Sequence, residues 1–156
     1  MTDMKLKMWK AIAEKPVVML GLSEDQGHFE PMMAQLDESA NGAFWFFTRD
    51  DNRAAMGGPA SVTFVAQDHT LFASLRGSLV REKDQDVIDK HWSNDVAAWF
   101  EKGREDPHMV MLRFELVDAE IWAMEASGME KLKFSMGEKV SPTELGEHDV
   151  VDLTDG

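Results

Sequence analysis

The alternation of apolar and polar positions divides the chain into short strands joined by turns, with helical segments set between them. Residues 2–15 put Met4, Met8 and Ile12 on one helical face, with Leu6 and Trp9 beside it and lysines elsewhere. Pro16 ends the segment. Val17 to Ser23 reads as a strand, followed by the turn Glu24-Asp25-Gln26-Gly27. His28 to Asp37 is expected to return as a second strand, on the partial period-two pattern of Phe29, Met32, Ala34 and Leu36. Asn41-Gly42 is a hairpin signal, and the run behind it, Ala43 to Phe47, is apolar at every position, as in a strand buried on both faces. That run stops at the hydroxyl of Thr48. Asn52 or a neighbouring acid can then cap a short helical segment, Arg53 to Met56, which Gly57-Gly58-Pro59 closes.

The second half continues in the same manner. Ala60 to Gln67 alternates Val62, Phe64 and Ala66 against Ser61, Thr63 and Val65, and Asp68-His69 turns the chain. Thr70 to Glu82 reads as a long strand with Gly77 inside it, a glycine that marks a bulge or a barrel corner. Asp84 to Trp92 is helical, with Val87, Ile88, His91 and Trp92 on one side. A second helix, Asn94 to Lys102, carries Val96, Trp99 and Phe100, and Asp106-Pro107 breaks it. Met109 to Val117 alternates strongly and passes, after Asp118, into Ala119 to Ala123, as another strand or the far half of the same one. Ser127 to Gly137 suggests a short helix, and Val150, Val151 and Leu153 a final strand. Six or seven strands in succession, without regular helical crossovers, predict a small antiparallel barrel of mainly β (α+β) class rather than a doubly wound sheet.

Composition narrows what such a barrel can do. At 156 residues the chain, 1–156, reads as one domain, large enough to bury roughly two-thirds of its unfolded surface. Sixteen Lys plus Arg against 29 Asp plus Glu give a net charge of −13, which repels nucleic acid and anionic membrane surfaces at long range. A local basic pocket for a small anion is still allowed. The chain has no cysteine, so disulfides and thiol catalysis are excluded, and a cytoplasmic setting is compatible. No apolar stretch approaches the length of a membrane-spanning helix.

Few side chains point to chemistry by spacing alone. The five histidines (28, 69, 91, 108 and 148) are scattered, with no metal-binding pair, and there is no GxSxG, GxGxxG or phosphate-loop motif. His91, beside Trp92 on an apolar helix face, reads as a packed residue. Asp50-Asp51 and the acids from Glu82 to Asp86 read as helix-start charges or solvated faces. The turn after the apolar strand does carry the parts of an anion site: the Thr48 hydroxyl, Arg49, Arg53 and backbone N–H groups at a helix start. Many strand-to-helix turns of this kind bind nothing. Trp92, Trp99 and Trp122 are expected to finish a core or a subunit contact, or to wall a planar ligand.

Taken in order, Pro31-Met32, Gly42 with Trp45-Phe-Phe-Thr48, Asn52-Arg53, the LFASLRG strand ending at Gly77, HWSNDVAAWF from His91 to Phe100, Asp106-Pro107, and Ala119-Glu-Ile-Trp122 resemble one family. It is the general stress protein branch of the pyridoxamine-phosphate-oxidase-like, flavin-binding split barrels, and the similarity runs from about Leu6 to Leu153. The resemblance implies a split β-barrel, usually a homodimer, with FMN in two clefts at the subunit interface. It places Phe47 and Thr48 beside the flavin and its ribityl chain, Met32 near the isoalloxazine ring, and Ser74 as a polar contact. Asn52 and Arg53, with Arg49 close by, fall at the phosphate turn, and Trp122 is supplied by the other subunit.

Two positions depart from the family pattern. Glu30 stands where an arginine often precedes Pro-Met, and Ala54 where a lysine is common. Two functional readings follow. One is an FMN-dependent oxidoreductase-like protein, with the flavin carrying the redox chemistry. The other is a non-enzymatic, stress-related split-barrel binding protein that has lost or changed its ligand, another planar cofactor among the options. Pyridoxamine-phosphate oxidation itself needs a basic substrate site toward the C-terminus, and Lys131, Lys133 and Lys139, set among acids, do not form an evident one.

Overall fold

The computed structural model describes residues 3–25, 27–124 and 146–154. Its elements are α1 (Asp3–Glu14), β1 (Val17–Leu22), β2 (Glu30–Met33), β3 (Ala43–Arg49), a 3-10 turn (Arg53–Met56), β4 (Gly58–Val65), β5 (Leu71–Arg81), α2 (Gln85–His91), α3 (Asn94–Ala97), a second 3-10 turn (Gly103–Glu105), β6 (Met109–Met124) and β7 (Gly146–Asp152). The expected helix over 127–137, like the lysines at 131, 133 and 139, lies outside the described residues.

The seven strands of the described residues join one antiparallel sheet in the order β2-β1-β4-β5-β6-β3, with β7 also paired to β6. The two ends of that order meet at a single point. Gln35 N–H donates to Trp45 O (2.7 Å) and Trp45 N–H donates to Gln35 O (2.9 Å), so the segment after β2 closes on β3. Among the described residues no further pair joins the two strands. Toward Glu30 on one side and Arg49 on the other they diverge, which makes the barrel a split one. The returning strand is accordingly shorter than the alternation suggests, because Gln35 leaves β1 to pair with β3.

β6 is one strand of 16 residues, not two, and it serves two partners along the same edge. Its first half pairs with β3 over Met109–Glu115 and its second half with β7 over Asp118–Met124. The exchange happens at a bulge opposite Arg76/Gly77, where Val117 is the extra residue. An extra residue reverses the face that each later side chain takes. Buried positions are therefore Val110, Leu112, Phe114 and Leu116 before the bulge, and Ala119, Ile121 and Ala123 after it. Gly77 is required here, since a Cβ would collide with the carbonyl oxygen of Glu115.

The barrel interior is filled by these residues with Val18, Leu20, Val62, Phe64, Leu71 and Leu75, and α1 closes it with Met4, Met8 and Ile12. Leu6 instead faces outward, while Trp9 packs edge-on against Phe44. β3 is buried on both sides, which explains its unbroken apolar run. Phe44 and Phe46 enter the barrel, and Trp45 and Phe47 face a second cluster formed with Met111, Ile88, Val96 and Phe100. α3 is shorter than expected. From Trp99 onward the backbone tightens into i→i−3 bonds (Trp99 N–H to Val96 O, Phe100 N–H to Ala97 O), which turns Phe100 into this second cluster and leaves Trp99 69% exposed.

Candidate functional site

The residues singled out by the sequence fall into three places, all positioned by β3 or by the sheet next to the split. The first is the split itself. Beyond the Gln35–Trp45 pair, an open cleft of about 540 Å³ lies between Met32 and Met33 of β2, Phe47 of β3 and the α3 segment with Val96, Trp99 and Phe100. Its walls are mainly apolar, and Asp95 is its one charged lining residue. That size and character suit a small planar ligand. Met32 and Phe47 are thus brought together, and Trp99 forms part of the mouth instead of completing a core.

The second place is the turn that follows β3. Strand alternation sends Thr48 to the side opposite Phe47, where it is nearly buried in line with Phe44 and Phe46. Arg49 is exposed, 3.5 Å from Asp51, and the Asp50 carboxylate meets His108 Nδ1 at 3.2 Å. Asn52 caps the 3-10 turn: its Oδ1 accepts from Ala54 N–H at 2.7 Å, so that donor is already satisfied. Arg53 lies back across the β1–β2 loop. Its Nη1 donates to His28 O at 3.1 Å, and its Nε stands 4.0 Å from Glu30 Oε2. Glu30 Oε1 is buried with no hydrogen-bond partner among the described residues. Nearby, Asp106 accepts from His108 N–H at 2.9 Å and from Lys102 N–H at 3.4 Å. These bonds, the first above all, hold its carboxyl below the usual range.

The third place is the outer face of the sheet. Ser74 lies opposite Thr63 and Glu120, in a row that runs on to Met19 and Val150. Trp122 lies opposite Phe72 and His148 and stacks on the imidazole (centroids 5.1 Å apart, planes at 26°), while His148 Nε2 contacts Glu120 Oε2 at 2.8 Å. Val17, Met19, Met33, Val65 and Val150 leave this face unusually apolar for a solvated surface. Ser74 and Trp122 are therefore on the sheet's outer surface, while Met32 and Phe47 wall the split. Within one chain they do not form one pocket.

One polar cluster escaped the sequence reading. Glu82, expected on a solvated face, keeps only 7% of its side chain exposed where β5 leads into α2. It accepts from Trp45 Nε1 (2.9 Å), from Arg113 Nη1 (3.1 Å) and from Asp84 N–H (3.4 Å). Burial alone would raise its pKa, but these donors outweigh it and hold the carboxyl below the usual range. The His91 ring packs against Trp45 with centroids 4.9 Å apart and planes tilted by 30°, its Nε2 is buried with no partner among the described residues, and burial lowers its pKa. No sequence signal separates Glu82 from the acids around it.

Among the described residues no helix is long and apolar enough to cross a membrane. A sequence model of the family described as pyridoxamine 5′-phosphate oxidase like matches residues 3–143. No curated protein matches the chain in sequence. Among solved structures, a candidate general stress protein 26 from Jannaschia sp. CCS1 is 29% identical, with 96% of this chain and 98% of that one covered and a TM-score of 0.77. The general stress FMN/FAD binding protein of Xanthomonas citri is 40% identical over 79% of this chain and 90% of its own, with a TM-score of 0.73. General stress protein 26 of Bacillus anthracis, at 17% identity over 77% and 94% of the two chains, shares the fold with a TM-score of 0.65. The chain belongs to the pyridoxamine 5′-phosphate oxidase-like family, in its general stress protein branch.

Proposed function

We propose that this protein is a flavin-binding oxidoreductase of the general stress type, one split-barrel domain that pairs with a second copy and holds FMN where the two meet. The observation that carries this reading is the split: an apolar cleft walled by Met32 and Phe47 on the strand that leads directly into a turn with Thr48, Asn52 and two arginines. The 40% identical relative from Xanthomonas citri, named as an FMN/FAD binding protein, supports it. The apolar outer face beside the cleft supports the pairing, with Ser74 and Trp122 reaching the partner's flavin from there.

Bound flavin would supply the two-electron chemistry. The chain's own residues would do the rest. Met32 and Phe47 would exclude water from the ring, Thr48 would meet the ribityl chain, and Arg53, with Arg49 and Asn52, would face the phosphate. An acidic, cysteine-free chain suits a cytoplasmic protein acting on small molecules instead of nucleic acid. The second reading, a binding protein without turnover, draws on the Glu30–Arg53 contact, which occupies the cation at the turn.

The test is a titration of stripped protein with FMN and with riboflavin, followed by flavin fluorescence and tryptophan emission, with light scattering alongside. A dimer that takes up one flavin of either kind per chain is expected. A monomer that binds neither at high micromolar concentration would overturn the proposal.

A further inference from the structure

The arginine assigned to the proposed phosphate already has an anion. Arg53 is held over the β1–β2 loop by the His28 carbonyl at 3.1 Å, and its Nε lies 4.0 Å from Glu30 Oε2. Gly27 leaves the room for this, since a Cβ there would strike the guanidinium. Glu30 belongs to β2 rather than to a loose loop. It pairs in register with Leu20, whose side chain is buried, and its own side chain is only 24% exposed. The carboxylate is therefore set in place by the sheet. Among the described residues of the turn, Arg49 already lies 3.5 Å from Asp51, and the Asp50 carboxylate contacts His108 Nδ1 at 3.2 Å.

We infer that Glu30 is an internal counter-ion of Arg53 that sets how strongly the site distinguishes a phosphate monoester from the same ligand without its phosphate. The inference rests on the flavin reading for the ligand's identity, not for the ion pair. A phosphate dianion approaching Arg53 must share that cation with Glu30 or displace the carboxylate. The new charge-assisted bonds are then offset by the lost Arg53–Glu30 attraction and by repulsion between two anions. An uncharged hydroxyl meets the opposite situation. The Glu30 carboxylate, 24% exposed at its side chain, can accept from an O–H donor, while Arg53 can donate to the same hydroxyl. The pair thus reads a polyol end about as well as a phosphorylated one.

The experiment compares FMN with riboflavin on the full chain, for wild type, Glu30→Gln and Glu30→Gln/Arg53→Gln. Wild type is expected to bind the two flavins within about tenfold of each other. Glu30→Gln, which keeps the side-chain shape, should tighten FMN by about tenfold or more and leave riboflavin within about twofold. The double variant should lose that gain. Glu30→Asp, which withdraws the carboxylate by one methylene, should shift FMN in the same direction by less, and serves if the Gln variant folds poorly. Equal changes for both flavins, or no change for either, would overturn the inference.

A flavin-free arm separates the two proposals. Inorganic phosphate at matched ionic strength should raise the melting temperature of Glu30→Gln and leave that of wild type unmoved. A phosphate response confined to the variant, with no flavin bound by either protein, would uphold Glu30 and sink the flavin reading. Flavin binding by both proteins, with no phosphate selectivity gained on substitution, would do the reverse.

Discussion

Two carboxylates, each facing an arginine, occupy opposite situations in this barrel. Glu82 is 7% exposed at its side chain and accepts from an indole N–H, a guanidinium and a backbone N–H. Glu30 is 24% exposed, has its arginine at 4.0 Å, and leaves one buried oxygen without a partner. The first is a connected network: it ties α2's N-cap, β3 and β6 together, and the Glu82 carboxylate is already engaged by three donors. The second is incomplete beside a split in the sheet. A buried acceptor left unpaired is costly, and the 24% exposure of this side chain beside an open edge leaves the carboxylate within reach of a group from outside. Satisfaction, more than charge or burial, separates the structural carboxylate from the one assigned to the site.

The contrast can be broken most severely at Glu82. Glu82→Ala leaves Trp45 Nε1 without its acceptor and Arg113, 32% exposed, with Glu115 at 3.8 Å, and should cost about 2 kcal/mol, lowering the melting temperature by roughly 4–8 °C. Thermal denaturation followed by circular dichroism reads this, and a loss below about 1 kcal/mol would mean the network is not a structural unit. The flavin affinity of whatever remains folded should be unchanged.

At the other pole, Arg53→Ala should weaken FMN by about tenfold or more, because it removes the cation and leaves Glu30 facing the phosphate. Arg49→Ala, on an exposed arginine that Asp51 already engages, should weaken it by less. Equal affinities for wild type and Arg53→Ala would remove Arg53 from the site.

A smaller, pH-dependent effect belongs to His91, which is 8% exposed beside Glu82, Asp37 and Lys90 and packed against Trp45. Burial lowers its folded pKa, so the unfolded chain takes up the proton first as pH falls. Its contribution to stability is full above the ordinary histidine range, near pH 6.5, and declines as pH drops from there toward the lowered folded value. His91→Phe should flatten that part of the stability profile, and an unchanged slope in the variant would assign the titration elsewhere.

The smallest expected effect is Glu30→Gln on stability itself, within about 0.5 kcal/mol of wild type, because the weak pair it removes contributes little to the fold. A loss comparable with that of Glu82→Ala would make the two carboxylates alike and end the distinction.

Much of this architecture was legible along the chain. The Met4, Met8 and Ile12 face of α1, the alternation of Val62, Phe64 and Ala66, and the unbroken run Ala43–Phe47 each state how many faces of an element meet the core. Burial of apolar surface enforces that pattern whatever the partner. Gly77 announced a bulge for the same local reason. What the chain could not disclose are relations between segments far apart in sequence. One extra residue at Val117 turns two alternating runs into a single strand with its inner face reversed. Nor could spacing say that Glu82 would find three donors while Glu30, among equally ordinary acids, would be set against Arg53, or that Trp99 would stand at the rim of an opening. Periodicity records whether a side chain faces apolar or polar surroundings. Which charge it meets, and whether that charge is already satisfied, exists only once the strands are registered against one another.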